Sequence, residues 1–359
     1  MEHSGAVQGL RQPAAGFAST ALVVFFVLLV AYILRAGSFT GWFAYYVQCA
    51  IPPQIVLELI WRRYPPQFLT AYRQPLKGIA QIGAVLLFGG GFALLDFVAV
   101  GRSVPMPTPM LQIFTITAIL TTLCLALSWR GWPFTELFRN PVAAGLTLLL
   151  FCHALAYAIF RGFFNFAFLV HAPVYVPALD PRGIYPAWNA LAFYLAVVAG
   201  LFLILGFDSW PVARLPKLAS QPMQGLIWAA VIFFIGWALY AIGVQEFGMD
   251  AVDFLVRIPL PIIFGSIVVR RMFDGTLFSR MAQPAKGTLI AIAATVAGIG
   301  LAWFYRLISP SVAGQLAAGP PRYDLEIWLA TAILSVTFPF LLYLAEFLRF
   351  WPLQRNDTR

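Results

Sequence analysis

Charge is what this chain has least of. Only 10% of its 359 residues are Asp, Glu, Lys or Arg, against 61% hydrophobic, whereas a soluble domain carries roughly a quarter charged residues. With a mean hydropathy of +0.83, that shortage excludes a water-soluble globular fold. Histidine and cysteine are also scarce. His3, His153 and His171 are too dispersed to assemble a metal or haem site, which needs several close ligands. Cys49, Cys124 and Cys152 fall inside apolar runs and read as small buried side chains rather than a disulfide framework. No metal and no cofactor are expected. Also missing are Gly-x-x-x-x-Gly-Lys-(Ser/Thr), a dinucleotide Gly-x-Gly-x-x-Gly, Cys-x-x-Cys and Gly-x-Ser-x-Gly, so ATP-driven transport by this chain alone is excluded.

What is present is a succession of apolar runs. Lipid cannot satisfy backbone N–H and C=O groups, and runs of about 20 residues exceed what a barrel strand needs, so the spans are α-helices. The sequence predicts an all-α polytopic membrane protein with ten segments, at 17–35, 39–61, 77–99, 108–129, 141–160, 186–207, 222–244, 251–270, 286–308 and 324–349. Residues 161–185 interleave Phe163, Phe164, Phe166, Phe168 and Tyr175 with Pro173, Pro177 and Pro181. Short and broken by proline, this stretch is expected to be interfacial or re-entrant rather than a span.

A motif, (Gln/Asn)-Pro-x-x-(x)-Gly, recurs at Gln74-Pro75, Asn140-Pro141, Gln221-Pro222 and Gln283-Pro284. Each copy follows a basic stretch and opens an apolar segment long enough for two spans. The chain therefore divides into five helical hairpins at 17–73, 74–139, 140–220, 221–282 and 283–350, between tails 1–16 and 351–359. Two-helix units share one orientation, so these are parallel repeats. Proline suits the first helical turn, and Gln or Asn before it can cap free N–H groups. Helices 2 and 8 resemble copies of one another: Pro53 and Pro261 each precede an arginine pair, Arg62-Arg63 and Arg270-Arg271, by nine residues.

Basic residues set the orientation. The even-numbered loops and the two tails hold 16 of the 23 lysines and arginines, and the odd-numbered loops six. The positive-inside rule then puts both termini in the cytoplasm, in a cell inner membrane. Residues 1–16 carry Glu2, His3 and Arg11 ahead of a full-length span and lack a cleavage site, so the first helix is expected to be retained. The net charge of +9 is a topology signal that also favours anionic lipid headgroups, and nothing in it argues for nucleic acid.

Ionisable groups inside the hydrocarbon are costly and so become site candidates. Asp253 and Arg257 share one face of helix 8, with Arg257 about 9 to 10 Å below the helix start. Pro259 and Pro261 follow directly, giving the kind of broken helix that lines transporter cavities. Asp96, His153 and Gln54 are further candidates for binding a substrate or ion. Glu58 before Arg62 and Glu346 before Arg349 are explained by snorkelling and helical-neighbour pairing. Pro52-Pro53, Pro259-Pro261 and Pro339 are expected to interrupt helices 2, 8 and 10, bending the even helices around a polar interior. The function these features favour is a gradient-driven transporter or channel-like protein for a small organic solute or ion, without catalytic residues. The alternatives are a membrane-embedded enzyme acting on a lipid or isoprenoid, and a membrane anchor for a larger complex. Lipids, a solute, and a second copy or complex subunit are the expected partners.

Overall fold

The computed structural model describes residues 10–61, 72–104, 106–208, 210 and 220–354. Arg62, Arg63, Arg214, Lys217, Arg355 and Arg359, counted above for orientation, lie outside these. Among the described residues there are nine helical stretches long and apolar enough to cross a membrane, one fewer than the ten segments expected. The difference lies in the first two. Ala14–Trp61 is a single stretch of 48 residues, which if straight would measure about 72 Å, more than twice a bilayer core of about 30 Å.

That stretch is not straight. Helix α1 (Ala14–Ser38) and α2 (Ala44–Val56, continued by a π turn Leu57–Trp61) are joined through a π turn at Phe39–Phe43, with non-helical backbone at Arg35 (φ 59, ψ 161) and Gly41 (φ −88, ψ −112). Gln12, just before α1, donates to the carbonyl of Met272, and Glu58, near the end of α2, pairs with Arg271. Both ends of the stretch therefore reach the same end of the molecule, while Thr40 in its middle accepts from Gln112 at the start of another helix. The chain goes out and returns.

The remaining stretches are α3 (Leu76–Ala99), α4 (Pro109–Ser128), α5 (Pro141–Phe163), α6 (Ala187–Leu205), α7 (Met223–Glu246), α8 (Ala251–Met272), α9 (Ala285–Ala313) and α10 (Asp324–Phe347). Their boundaries fall within five residues of the sequence expectations because hydropathy ends where lipid ends.

Burial separates two layers. In the most apolar window of α4, α6, α8 and α10, 56–83% of residues are buried, against 22–39% in α3, α5, α7 and α9. In Ala44–Val56 of α2 only Tyr46 is not buried. The buried helices form a closed ring: α2 packs on α4, α4 on α6, α6 on α8, α8 on α10, and α10 back on α2. The outer helices lean on this ring, α3 on α2, α5 on α4, α7 on α6, α9 on α8 and α1 on α10. Their outward faces carry Phe25, Ile33, Leu87, Leu94, Phe234, Val296 and Trp303, all exposed. Exposed apolar area on this scale fits a surface solvated by lipid.

The inner helices are irregular where proline removes N–H donors. Helix α8 breaks at Ile258 (φ −118, ψ −70) and restarts at Pro259. Helix α10 widens into a π turn, Thr331–Thr337, directly before Pro339. Helix α2 departs from expectation: it runs as regular α-helix through Pro52 and Pro53, and its π turn comes afterwards. A π turn absorbs the register change that a missing hydrogen bond imposes, so the helix continues.

Residues 161–185 make no span. Phe164–Asn165 pairs in parallel with Tyr185–Pro186, and a 3-10 turn covers Ala167–Leu169. Asp180 ties this loop together, accepting from the backbone N–H groups of Phe166 and Arg182 and from the Tyr175 hydroxyl. That last bond raises the tyrosine's hold on its own proton.

Candidate functional site

Four glutamines clasp the layers together at one end of the molecule. In each of Gln12, Gln74, Gln221 and Gln283 the side-chain oxygen accepts from the N–H of the glycine four residues on, at 3.2, 3.3, 3.2 and 3.0 Å. The amide nitrogen of the same side chain donates to a carbonyl at the end of an inner helix: Met272, Phe347, Ser128 and Gly206 respectively. Asn140 is one methylene shorter; it caps Val142, and the bridge is supplied instead by Trp61 Nε1 donating to the Pro141 carbonyl at 2.7 Å. A Cβ on Gly16, Gly78, Gly145, Gly225 or Gly287 would collide with the inner helix end or its flanking residue. The copy at Gln12-Pro13-Ala14-Ala15-Gly16 was missed among the sequence motifs, although its spelling matches the Gln74 copy.

At this end the inner ring opens into a two-lobed cavity. One lobe, about 210 Å³, draws on all five inner helices: Glu58 from α2, Leu123 from α4, Phe202 from α6, Ser266 from α8 and Leu342 from α10. It therefore lies on the ring axis. The other lobe, about 290 Å³, reaches toward Arg130, Asp208 and Trp228. Arg270 lines both.

The two adjacent arginines are held differently. Arg271 sits between two carboxylates, Nη2 at 2.7 Å from Glu58 and Nη1 at 2.9 Å from Glu346. This links α2, α8 and α10 across the ring. The carboxylates are nearly buried, at 6% and 11% side-chain exposure. Among the described residues Arg270 has no carboxylate within ion-pairing distance. Asp208, an acid whose charge acts on it, is engaged with Lys286 at 2.8 Å. Sequence reasoning used Arg270 and Arg271 as orientation charges and as part of the likeness between helices 2 and 8, not as site candidates. The signal that could have singled them out was the proline-to-arginine spacing shared by helices 2 and 8.

The residues singled out from the sequence lie elsewhere. Asp253 and Arg257 pair within one helix at 2.6 Å, at the end of the protein opposite the cavity, with the arginine 57% exposed. Gln54 is fully buried and donates to the Pro339 carbonyl at 3.0 Å, fixing α2 to α10 above the cavity. Nearby, Gln48 donates to Ser335 Oγ and lies 2.9 Å from the Thr115 hydroxyl, joining α2, α10 and α4. Asp96 and His153, from different outer helices, are brought together: His153 Nε2 lies 4.0 Å from Asp96 Oδ2, and both residues are buried. Among the described residues no group of histidine, cysteine and acidic side chains could hold a metal ion.

These features define a multi-pass helical membrane protein with a mainly apolar cavity, carrying Glu58, Arg270 and Arg271 on its wall, inside its inner helix ring. Comparison with protein-family models, curated proteins and solved structures finds no match to this chain.

Proposed function

We propose that this protein is a gradient-driven carrier for a small anionic solute in a cell inner membrane, with the clasped, basic end and both termini facing the cytoplasm. Five hairpin repeats closed into a ring form its scaffold. Supporting the repeat, each outer helix is clasped to the inner helix three before it, counted cyclically: α1 to α8, α3 to α10, α5 to α2, α7 to α4 and α9 to α6. Such regularity follows if every hairpin inserts by the same local rule.

The observation that carries the solute class is Arg270. It lines the cavity on the ring axis, which is walled mainly by leucine, isoleucine and phenylalanine, while its neighbour Arg271 is already paired with two carboxylates. A guanidinium without a carboxylate partner among the described residues, in such surroundings, favours a bound carboxylate, phosphate or sulfate, which it engages in bidentate fashion. The polar layer of Gln48, Thr115 and Ser335 farther along the axis supports a closed state sealed from the other side.

The test is solute uptake into proteoliposomes containing the full chain, across carboxylates, phosphate esters, sulfate, amino acids and amines. Saturable uptake of one anion class is expected. Arg270→Gln should raise its KM about 10- to 100-fold, the equivalent of losing one charged hydrogen-bonded contact of about 1.5 to 3 kcal/mol. Unchanged uptake in Arg270→Gln would remove the cavity as the binding site, and silence across the whole panel would refute a carrier.

A further inference from the structure

Distant from the cavity, the membrane interior holds one acid and one base in register. Asp96 is three residues from the end of α3 and His153 is on α5, and they meet beside α2. The pair is enclosed: relative exposures are 3% and 7%. The imidazole stacks on Phe92 with ring centroids 4.2 Å apart. From α2 the Tyr45 hydroxyl is committed to the Ala93 carbonyl at 2.6 Å, and Cys49 is the other titratable group facing Asp96. Cys152 on α5 and Cys124 on α4 interact with each other on the far side. Thiols and phenols are neutral at physiological pH, and no further Asp, Glu, Lys or Arg among the described residues influences either member of the pair.

The tautomer follows from the hydrogen bonds. His153 Nδ1 lies 2.9 Å from the Leu149 carbonyl, which only accepts. Nδ1 therefore keeps its proton in every state, and Nε2, facing Asp96, is the nitrogen that titrates. Two protons on the pair would leave a net positive charge in apolar surroundings, and none would leave a net negative charge. One proton leaves it neutral, either as a carboxylic acid beside a neutral imidazole or as carboxylate beside imidazolium. Burial selects the one-proton state at rest. The gap of 4.0 Å must close by about 1 Å for a direct transfer between the two, so motion of α3 against α5 changes which member holds the proton.

We propose that Asp96 and His153 form a proton-binding site, and that it gives the carrier its coupling ion. The second half rests on the carrier reading above; the first does not. The proton is taken up at Asp96, within about one helical turn of the end of α3 opposite the cavity, and passes to Nε2 of His153 with no other bond made or broken.

Infrared difference spectra of the full chain in lipid nanodiscs, taken between acidic and alkaline buffer, read the protonation directly. A protonated-carboxyl stretching band that disappears with rising pH is expected. It should be absent in Asp96→Asn and shifted in His153→Gln, the second variant guarding against misfolding of the first. A wild-type-like spectrum in either variant would overturn the site. In proteoliposomes, an inward proton gradient should stimulate anion uptake at least tenfold in the wild type and not in Asp96→Asn. Uptake indifferent to the gradient would overturn coupling while leaving the carrier intact. Absence of any uptake would refute the carrier, and the infrared band would still decide whether the site exists.

Discussion

Arg271 offers the sharpest test of how the inner ring is held. Arg271→Met removes the cation that joins the nearly buried carboxylates of Glu58 and Glu346. Breaking a fully buried ion pair costs about 3 to 5 kcal/mol, because the remaining charge is uncompensated. The arginine side chain here is 35% exposed, so solvent screening reduces the expected loss to about 2 to 3 kcal/mol. Differential scanning fluorimetry in detergent, following the tryptophans, should show Tm falling by about 4 to 10 °C on the scale of large domains. The decisive comparison is Glu58→Gln/Arg271→Met/Glu346→Gln, which removes the three charges of this bridge at once. If the cost of Arg271→Met arises from the charge imbalance it creates beside two nearly buried carboxylates, the triple variant recovers most of the lost Tm, a non-additivity expected only of groups in direct contact. A triple variant less stable than the single one would refute the reasoning, and so would an unchanged Tm in Arg271→Met.

Two further outcomes follow from other parts of the structure. Gly298→Val should separate α8 from α9, since a Cβ there would overlap the Pro261 carbonyl; loss of the monodisperse peak in size-exclusion chromatography checks it, with Gly300→Val, which meets open space, as the tolerated control. Tyr323 donates to Asp250, the residue that caps α8, and burial, followed by that bond, pushes its phenol up to about 12. As pH rises from about 10 to about 12 the unfolded chain releases this proton while the folded chain keeps it, so stability falls across that window. The fall should be shallower in Tyr323→Phe, measured as Tm against pH.

Helix positions were legible in the sequence, and side-chain partnerships were not. The positions of the spans depend on a local quantity, apolar length, that lipid reads segment by segment. The one difference in number arises because α1 and α2 keep hydrogen bonding through a π turn at Phe39–Phe43, a continuity hydropathy does not register. Partnerships depend on which helices are neighbours. Glu58 was assigned to its own helical neighbour Arg62, which lies outside the described residues, and nothing in the sequence announced that across the ring it also meets Arg271, 213 positions away in the chain numbering. Asp96 and His153 were singled out separately because nothing in the sequence marks α3 and α5 as adjacent at that level. Arg257 drew attention by its proximity to two prolines, and the break those prolines cause at Ile258 lies beside a helix face where the guanidinium points outward.

The glutamine motif shows why the neighbours follow a rule all the same. A helix start carries unsatisfied N–H groups and a positive dipole end; a helix finish carries the complementary carbonyls. At one membrane face, outer helices start where inner helices finish, so a side chain with both an acceptor and a donor can serve both. Glutamine does this with one amide: its oxygen caps its own helix at the glycine and its nitrogen satisfies a neighbour's last carbonyl. The glycine is needed because the neighbour must come close enough for that reach. Asparagine, one methylene shorter, caps but does not reach, and at that position the indole of Trp61 spans the gap from the other side. The exception therefore keeps the rule: each joint supplies one bridge between an outer start and an inner finish. The distance to be spanned, rather than the identity of the residue, is what the five joints have in common. A Gln283→Asn substitution recreates the short side chain with no tryptophan opposite it, so the bond to the Gly206 carbonyl should be lost while capping persists. The expected cost is about 1 kcal/mol, which Tm resolves; a loss as large as that of Gln283→Ala would show that capping, not bridging, carries the joint.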